Sequence, residues 1–97
     1  MTHQNRIKRL IPLERFKKAY RALSPELKGA TDEALRDLLK EFIPNSRRME
    51  KLQGYKNPNV FTIHVTPNHS HKLAFEVEGD VAYLRTVDTH KVIDRKP

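Results

Sequence analysis

The hydrophobic pattern changes period midway along the chain, and that change limits the folds open to it. Up to Phe42 the apolar residues recur at helical spacing, and from Val60 they alternate with polar ones at every second position. In the first half, Leu13, Phe16, Tyr20 and Leu23 form one stripe, with Lys17, Lys18 and Arg21 facing outward. Pro12 suits the first position of that helix, where its missing N–H costs nothing. Ser24-Pro25 restarts the chain as N-cap and first helical residue. A second helix is predicted over Pro25–Phe42, its stripe running through Leu27, Ala30, Ala34, Leu35, Leu38, Leu39 and Phe42, with Pro44 ending it. Gly29 weakens it by about 1 kcal/mol relative to Ala, and Thr31 offers an alternative start. The two helices read as an antiparallel pair.

Strand signals bracket this pair. Arg6–Ile11 reads as a short first strand, and Asn45–Asn59 as a largely irregular basic connection. Phe61, Ile63 and Val65 then alternate with Val60, Thr62 and His64, which sets His64 on the polar side. After a turn at residues 66–70, Leu73, Phe75 and Val77 alternate with Lys72, Ala74 and Glu76. Gly79-Asp80 is a hairpin signal, leading into a strand over Val81–Val87 that is apolar on both parities, as a central strand is. The expectation is a single α+β domain over residues 1–97. Its order is β-α-α-β-β-β, with two helices on one face of a twisted, mainly antiparallel sheet of about four strands and the other face partly open.

Charge narrows the class of partner. Arg6, Lys8, Arg9, Arg15, Lys17, Lys18 and Arg21 oppose only Glu14 in the first 23 residues, and Arg47, Arg48, Lys51, Lys56 and Lys72 oppose only Glu50 over residues 47–72. Two basic blocks with a mildly acidic stretch between them suit a polyanion, nucleic acid being the commonest. The absence of cysteine excludes disulfide staples, thiolate zinc ligands and thiol catalysis. No apolar run approaches the roughly 18 residues of a membrane span. The basic N-terminal segment lacks the apolar run of a secretory signal, so a cytoplasmic domain without a membrane partner is expected.

Four of the five histidines, His64, His69, His71 and His90, lie in the second half. If the last three strands are neighbours, the imidazoles of His64, His69, His71 and His90 and the ammoniums of Lys72 and Lys91 converge on the open face of the sheet. Such a set can cleave RNA without a metal: one imidazole takes the proton of a 2′-OH, another protonates the departing 5′-oxygen, and cations neutralise the phosphorane. A solvated histidine on a polar face is the plainer reading of any one of them. His69-Ser70-His71 lacks a third ligand at a recognisable spacing, so no metal site is expected. No nucleophile elbow and no phosphate-binding glycine loop is present, and no cofactor is expected.

Several short segments resemble one known family. Phe16-Lys17-Lys18-Ala19-Tyr20-Arg21-Ala22-Leu23, Lys51-Leu52-Gln53-Gly54, Lys72-Leu73-Ala74-Phe75 and Val87-Asp88-Thr89-His90 are similar, in order and spacing, to motifs of the RelE/ParE superfamily of toxins from type II toxin–antitoxin pairs. The match runs from about Phe16 to Asp94. His64-Val65-Thr66-Pro67-Asn68 and Thr89-His90 resemble the YafQ-like branch. The resemblance implies a small RelE-like domain acting as a ribosome-dependent endoribonuclease, an mRNA interferase, with ribosome and mRNA as partners. It also implies a protein that is monomeric when free and hetero-oligomeric with a cognate antitoxin that silences it.

Carried over residue by residue, the resemblance implies catalytic roles for His64, His90, Lys72 and Lys51. RNA contact falls to Arg47, Arg48, Lys56, His71, Arg85, Lys91, Lys17 and Lys18. The sequence departs from the branch in three places: Asn68 stands for an aspartate, Glu50 for a histidine and Asp94 for an aromatic. The segment after His90 is also shorter, without the helix of some relatives. Two other readings follow, a ParE-like gyrase-inhibiting toxin without nuclease activity and a family member of weak catalysis.

Overall fold

The alternating stretch that begins at Val60 builds the centre of a five-stranded sheet. The computed structural model describes residues 5–56 and 58–97, with Lys56 described by its backbone alone. The chain runs β1 (Arg9–Pro12), α1 (Glu14–Arg21), α2 (Pro25–Leu38), a 3-10 turn (Asn45–Arg47), β2 (Glu50–Lys56), β3 (Asn59–His64), β4 (His71–Glu78), β5 (Val81–Thr89) and α3 (His90–Arg95). Strand order is β1-β5-β4-β3-β2; β1 pairs with β5 in parallel and the other pairings are antiparallel. The α+β class and the order of the main elements are as expected. No helix among the described residues is long and apolar enough to cross a membrane.

One face of the sheet carries the core. Ile63, Leu73, Phe75, Leu84 and Val87 pack with Phe16 of α1 and with Ala34 and Leu38 of α2. Each large apolar side chain so buried contributes about 1.5–3 kcal/mol. The Tyr20 hydroxyl donates to Asp32 at 2.8 Å and joins the two helices. Ser24 caps α2, its Oγ accepting from the Leu27 N–H at 3.3 Å, with Pro25 at the first helical position.

The structure corrects five local expectations. The first strand is Arg9–Pro12 rather than Arg6–Ile11, because its partner in the parallel ladder begins at Val81. Pro12 belongs to that strand, not to α1; the Leu13 N–H donates to the Leu84 carbonyl at 3.0 Å, which keeps the chain extended for one residue more. Helix α2 stops at Leu38 and not at Phe42, since the Asn5 side-chain amide donates to the Leu38 and Lys40 carbonyls and its backbone N–H to that of Glu41. The connection expected over Asn45–Asn59 contains a fifth strand, β2, an edge strand whose register with β3 shifts between Lys51 and Lys56. Gly54 there has φ +87°, a conformation that a side chain disfavours.

The fifth correction is α3, which replaces the expected helix-free C-terminal segment. It packs against β4 and β5 with Ile93 fully buried. The face opposite the core carries Val60, Thr62, Lys72, Ala74 and Thr86, all buried, so α3 covers part of a face that the alternation leaves open.

Candidate active site

The uncovered remainder of that second face is an open cleft of about 600 Å³. His64, Lys72 and His90 line it together with His69, Arg48, Met49 and Glu50. Strand register explains the first pair. His64 ends β3 directly opposite Lys72 of β4, and opposed residues of an antiparallel pair share a face. His90 opens α3, and its backbone N–H donates to the Ser70 carbonyl at 3.0 Å, which ties the helix start to the β3–β4 loop.

That loop is held by its own hydrogen bonds. Thr66 Oγ1 accepts from the Ser70 N–H at 3.0 Å, Asn68 Oδ1 accepts from the same N–H at 3.1 Å, and the His69 N–H donates to the Thr66 carbonyl at 3.0 Å. The turn places His69 at φ +61°. Among the described residues, the other non-glycine with positive φ is Arg48, at φ +48° after the 3-10 turn, and both line the cleft. Such left-handed conformations cost roughly 1–3 kcal/mol and gather where function requires a particular aim.

The geometry of the imidazoles defines their chemistry. His64 Nδ1 lies 2.7 Å from His69 Nδ1, with the rings edge-on at 4.3 Å between centroids. One nitrogen of that contact carries the proton and the other accepts it. The His90 ring centre is 6.1 Å from that of His64. His90 Nδ1 meets Asp94 Oδ2 at 2.9 Å, and the other oxygen of the same carboxylate meets Lys72 Nζ at 3.1 Å. Each ring has therefore engaged Nδ1 inside the protein, which leaves Nε2 for a ligand. Burial pushes His64 below the ordinary histidine range, and the neighbouring charges of His69, Lys72, His90 and Arg48 push it further the same way.

Of the remaining expected site residues, several lie elsewhere. Lys51 is opposite Phe61, on the face away from the cleft, so Arg48 and not Lys51 is the basic residue that the segment before Leu52 brings to the site. Arg47 is not free to grip RNA: its Nε pairs with Asp37 at 2.8 Å and its Nη1 donates to the Val65 carbonyl at 2.9 Å and the His64 carbonyl at 3.3 Å. Burial alone would raise the Asp37 carboxyl, but the hydrogen bonds of Lys40 and Arg47 outweigh it and hold it below its usual range. Arg47 thus braces the end of β3 behind His64. His71 is opposite Thr89 on the core side, its Nδ1 2.8 Å from Ser70 Oγ. Arg85 pairs with Glu76 at 2.6 Å, away from the cleft. Lys17 and Lys18 are exposed on α1, across the sheet, and Lys91 is exposed on α3. The Lys56 side chain lies outside the described residues.

Arg48, expected as an RNA contact, and His69, one of the clustered histidines, both line the cleft, and each does so through a left-handed backbone conformation that no spacing announces. The four-residue separation of His90 and Asp94 is the signal of their pairing, and it carries meaning only once that segment is a helix. Among the described residues, no group of three or more His, Cys, Asp or Glu is arranged to hold a metal ion.

No family model matches the chain, and no curated protein matches it either. Solved structures do. The RelB–RelE antitoxin–toxin complex from Methanococcus jannaschii matches at 21% identity and a TM-score of 0.64, over 90% of this chain and 99% of that one. The archaeal RelE–RelB complex from Pyrococcus horikoshii OT3 matches at 19% and 0.61, over 84% and 92%. A copper-bound mutant toxin from Helicobacter pylori matches at 19% and 0.60, over 88% and 97%. The chain has the fold of these RelE-like toxins.

Proposed function

We propose that this chain is the toxin of a type II toxin–antitoxin pair, a cytoplasmic mRNA interferase that cuts message on the ribosome. One observation carries the reading: His64, His90 and Lys72 share an open cleft, with the two ring centres 6.1 Å apart and both Nδ1 atoms already engaged. Two imidazoles at that separation can reach the attacking and the leaving oxygen of one phosphodiester.

The chemistry follows from the two environments. His64, disfavoured as a cation, is neutral at working pH and takes the 2′-OH proton on Nε2. The 2′-oxygen bonds to phosphorus, the bond to the 5′-oxygen breaks, and His90 delivers a proton from Nε2 to that oxygen. The products are a 2′,3′-cyclic phosphate and a 5′-hydroxyl. Lys72 and Arg48 neutralise the charge that builds on the non-bridging oxygens. The likeness to two RelB–RelE complexes supports an antitoxin as the protein partner.

Induced expression of the wild type, His64→Ala and His90→Ala in bacteria tests this reading, with growth followed alongside primer extension on one abundant message. Arrest with discrete cuts, both lost in each variant, is the expected result. Arrest without cuts, unchanged by either substitution, would overturn the nuclease reading and favour a gyrase-type target.

A further inference from the structure

We propose that Asp94 is the positioning residue of this site: its carboxylate, shared between Lys72 and His90, aims the His90 ring so that Nε2 faces the substrate. The inference rests on the nuclease reading for its catalytic meaning, and on geometry for the rest. Each oxygen of Asp94 has its own partner, Oδ1 with Lys72 Nζ at 3.1 Å and Oδ2 with His90 Nδ1 at 2.9 Å. A carboxylate only accepts, so His90 Nδ1 must carry the hydrogen, and its second nitrogen is the one left to exchange a proton with a substrate.

Two nearby alternatives, the β3–β4 loop and Asp88, do not fill this role. The β3–β4 loop, Thr66-Pro67-Asn68-His69-Ser70, contains no acid, and Asn68 Oδ1 is occupied by the Ser70 N–H. Asp88 lies across from Lys72 in register, but its carboxylate accepts from the Thr89 N–H at 2.7 Å. Lys72 is nearly buried, with 7% of its side chain exposed, so its ammonium requires a partner; Asp94, about half exposed, sits at the rim and bridges inward to it. The same carboxylate therefore fixes the spacing between the cation that meets the phosphorane and the imidazole that meets the leaving oxygen. Misaiming either by about 1 Å costs on the order of 100-fold in rate.

The test compares the wild type with Asp94→Leu and Asp94→Glu in two measurements. The first is the ¹⁵N signature of the histidine rings, recorded near pH 8, where an ordinary imidazole is neutral. The wild type should show His90 with hydrogen on Nδ1; Asp94→Leu should move it toward Nε2, and Asp94→Glu should restore Nδ1. The His64 signals, unchanged throughout, report an intact fold. The second is cleavage of ribosome-bound message, expected to fall roughly 10- to 100-fold in Asp94→Leu with KM little changed, and to recover most of that loss in Asp94→Glu. A His90 signature that ignores Asp94→Leu overturns the proposal, and so does an altered signature with undiminished cleavage. If the wild type itself does not cut, the nuclease reading fails, while the ring signature still decides whether Asp94 holds His90.

Discussion

On the β3 side of the cleft an imidazole is held by another imidazole; on the α3 side an imidazole is held by a carboxylate. His64 sits at the end of a strand among like-charged neighbours, partly withdrawn from water, and every one of these influences disfavours its cationic form. His90 opens a helix, about half exposed, with a carboxylate against Nδ1. Under the proposed nuclease reading, one residue type would take two complementary roles because the two walls differ in charge and hydration. On that reading the acid–base assignment is set by the surroundings, and altering one wall at a time tests it.

The largest effect should come from deleting either ring. His64→Ala and His90→Ala should each lower cleavage by roughly 100- to 10,000-fold, measured in single turnover on programmed ribosomes. Equal losses would fit two halves of one proton relay, and a negligible loss in either would break the pairing. Next is the brace behind the β3 wall. Arg47→Ala leaves the mostly buried Asp37 carboxylate without one of its cations and frees the end of β3, so urea unfolding should show a loss of about 2–3 kcal/mol. An unchanged midpoint would mean that β3 holds its end without help.

The third prediction concerns pH. The folded-state affinity of His64 for a proton is below that of the unfolded chain, so acid favours unfolding. Its share of stability is intact above about pH 6.5 and is lost as pH falls below that value. His64→Gln should flatten that part of the stability curve, as followed by denaturant midpoints across the acid range. The smallest effect is expected at His69. After burial, it is the leading cause of the depression at His64, so His69→Ala should move the acid limb of the rate profile to higher pH. The maximal rate should fall only a few-fold.

Much of the core side was legible, and much of the cleft side was not. Ile63, Leu73 and Phe75 announce strands because alternation records which face meets the helices, and Gly79-Asp80 announces its hairpin. The face of His64 and Lys72 follows from the same alternation. Lys51 and Arg48 show where such reasoning stops. Strand β2 lies at the edge and leaves no apolar rhythm in Lys51-Leu52-Gln53, so register alone reveals that Lys51 faces the core side. A left-handed residue turns Arg48 into the cleft instead. The missing helix had the same cause: six residues are too few to display a period, so Asp94 read as a departure where it serves as a link between Lys72 and His90.

The pairing of β1 with β5 carries a consequence for the order of assembly. Arg9 meets Val81 across most of the chain, whereas β3, β4 and β5 join through short connections as a meander. Closing the long loop requires more chain entropy to be surrendered before any contact rewards it, so the meander should gain protection first and β1 last. Every described residue lining the cleft belongs to the segment from Arg48 to His90. The cleft on which the nuclease reading rests thus belongs to the part of the chain expected to order first, and pulsed hydrogen exchange should find the β3–β4 amides protected before those of Arg9 to Ile11.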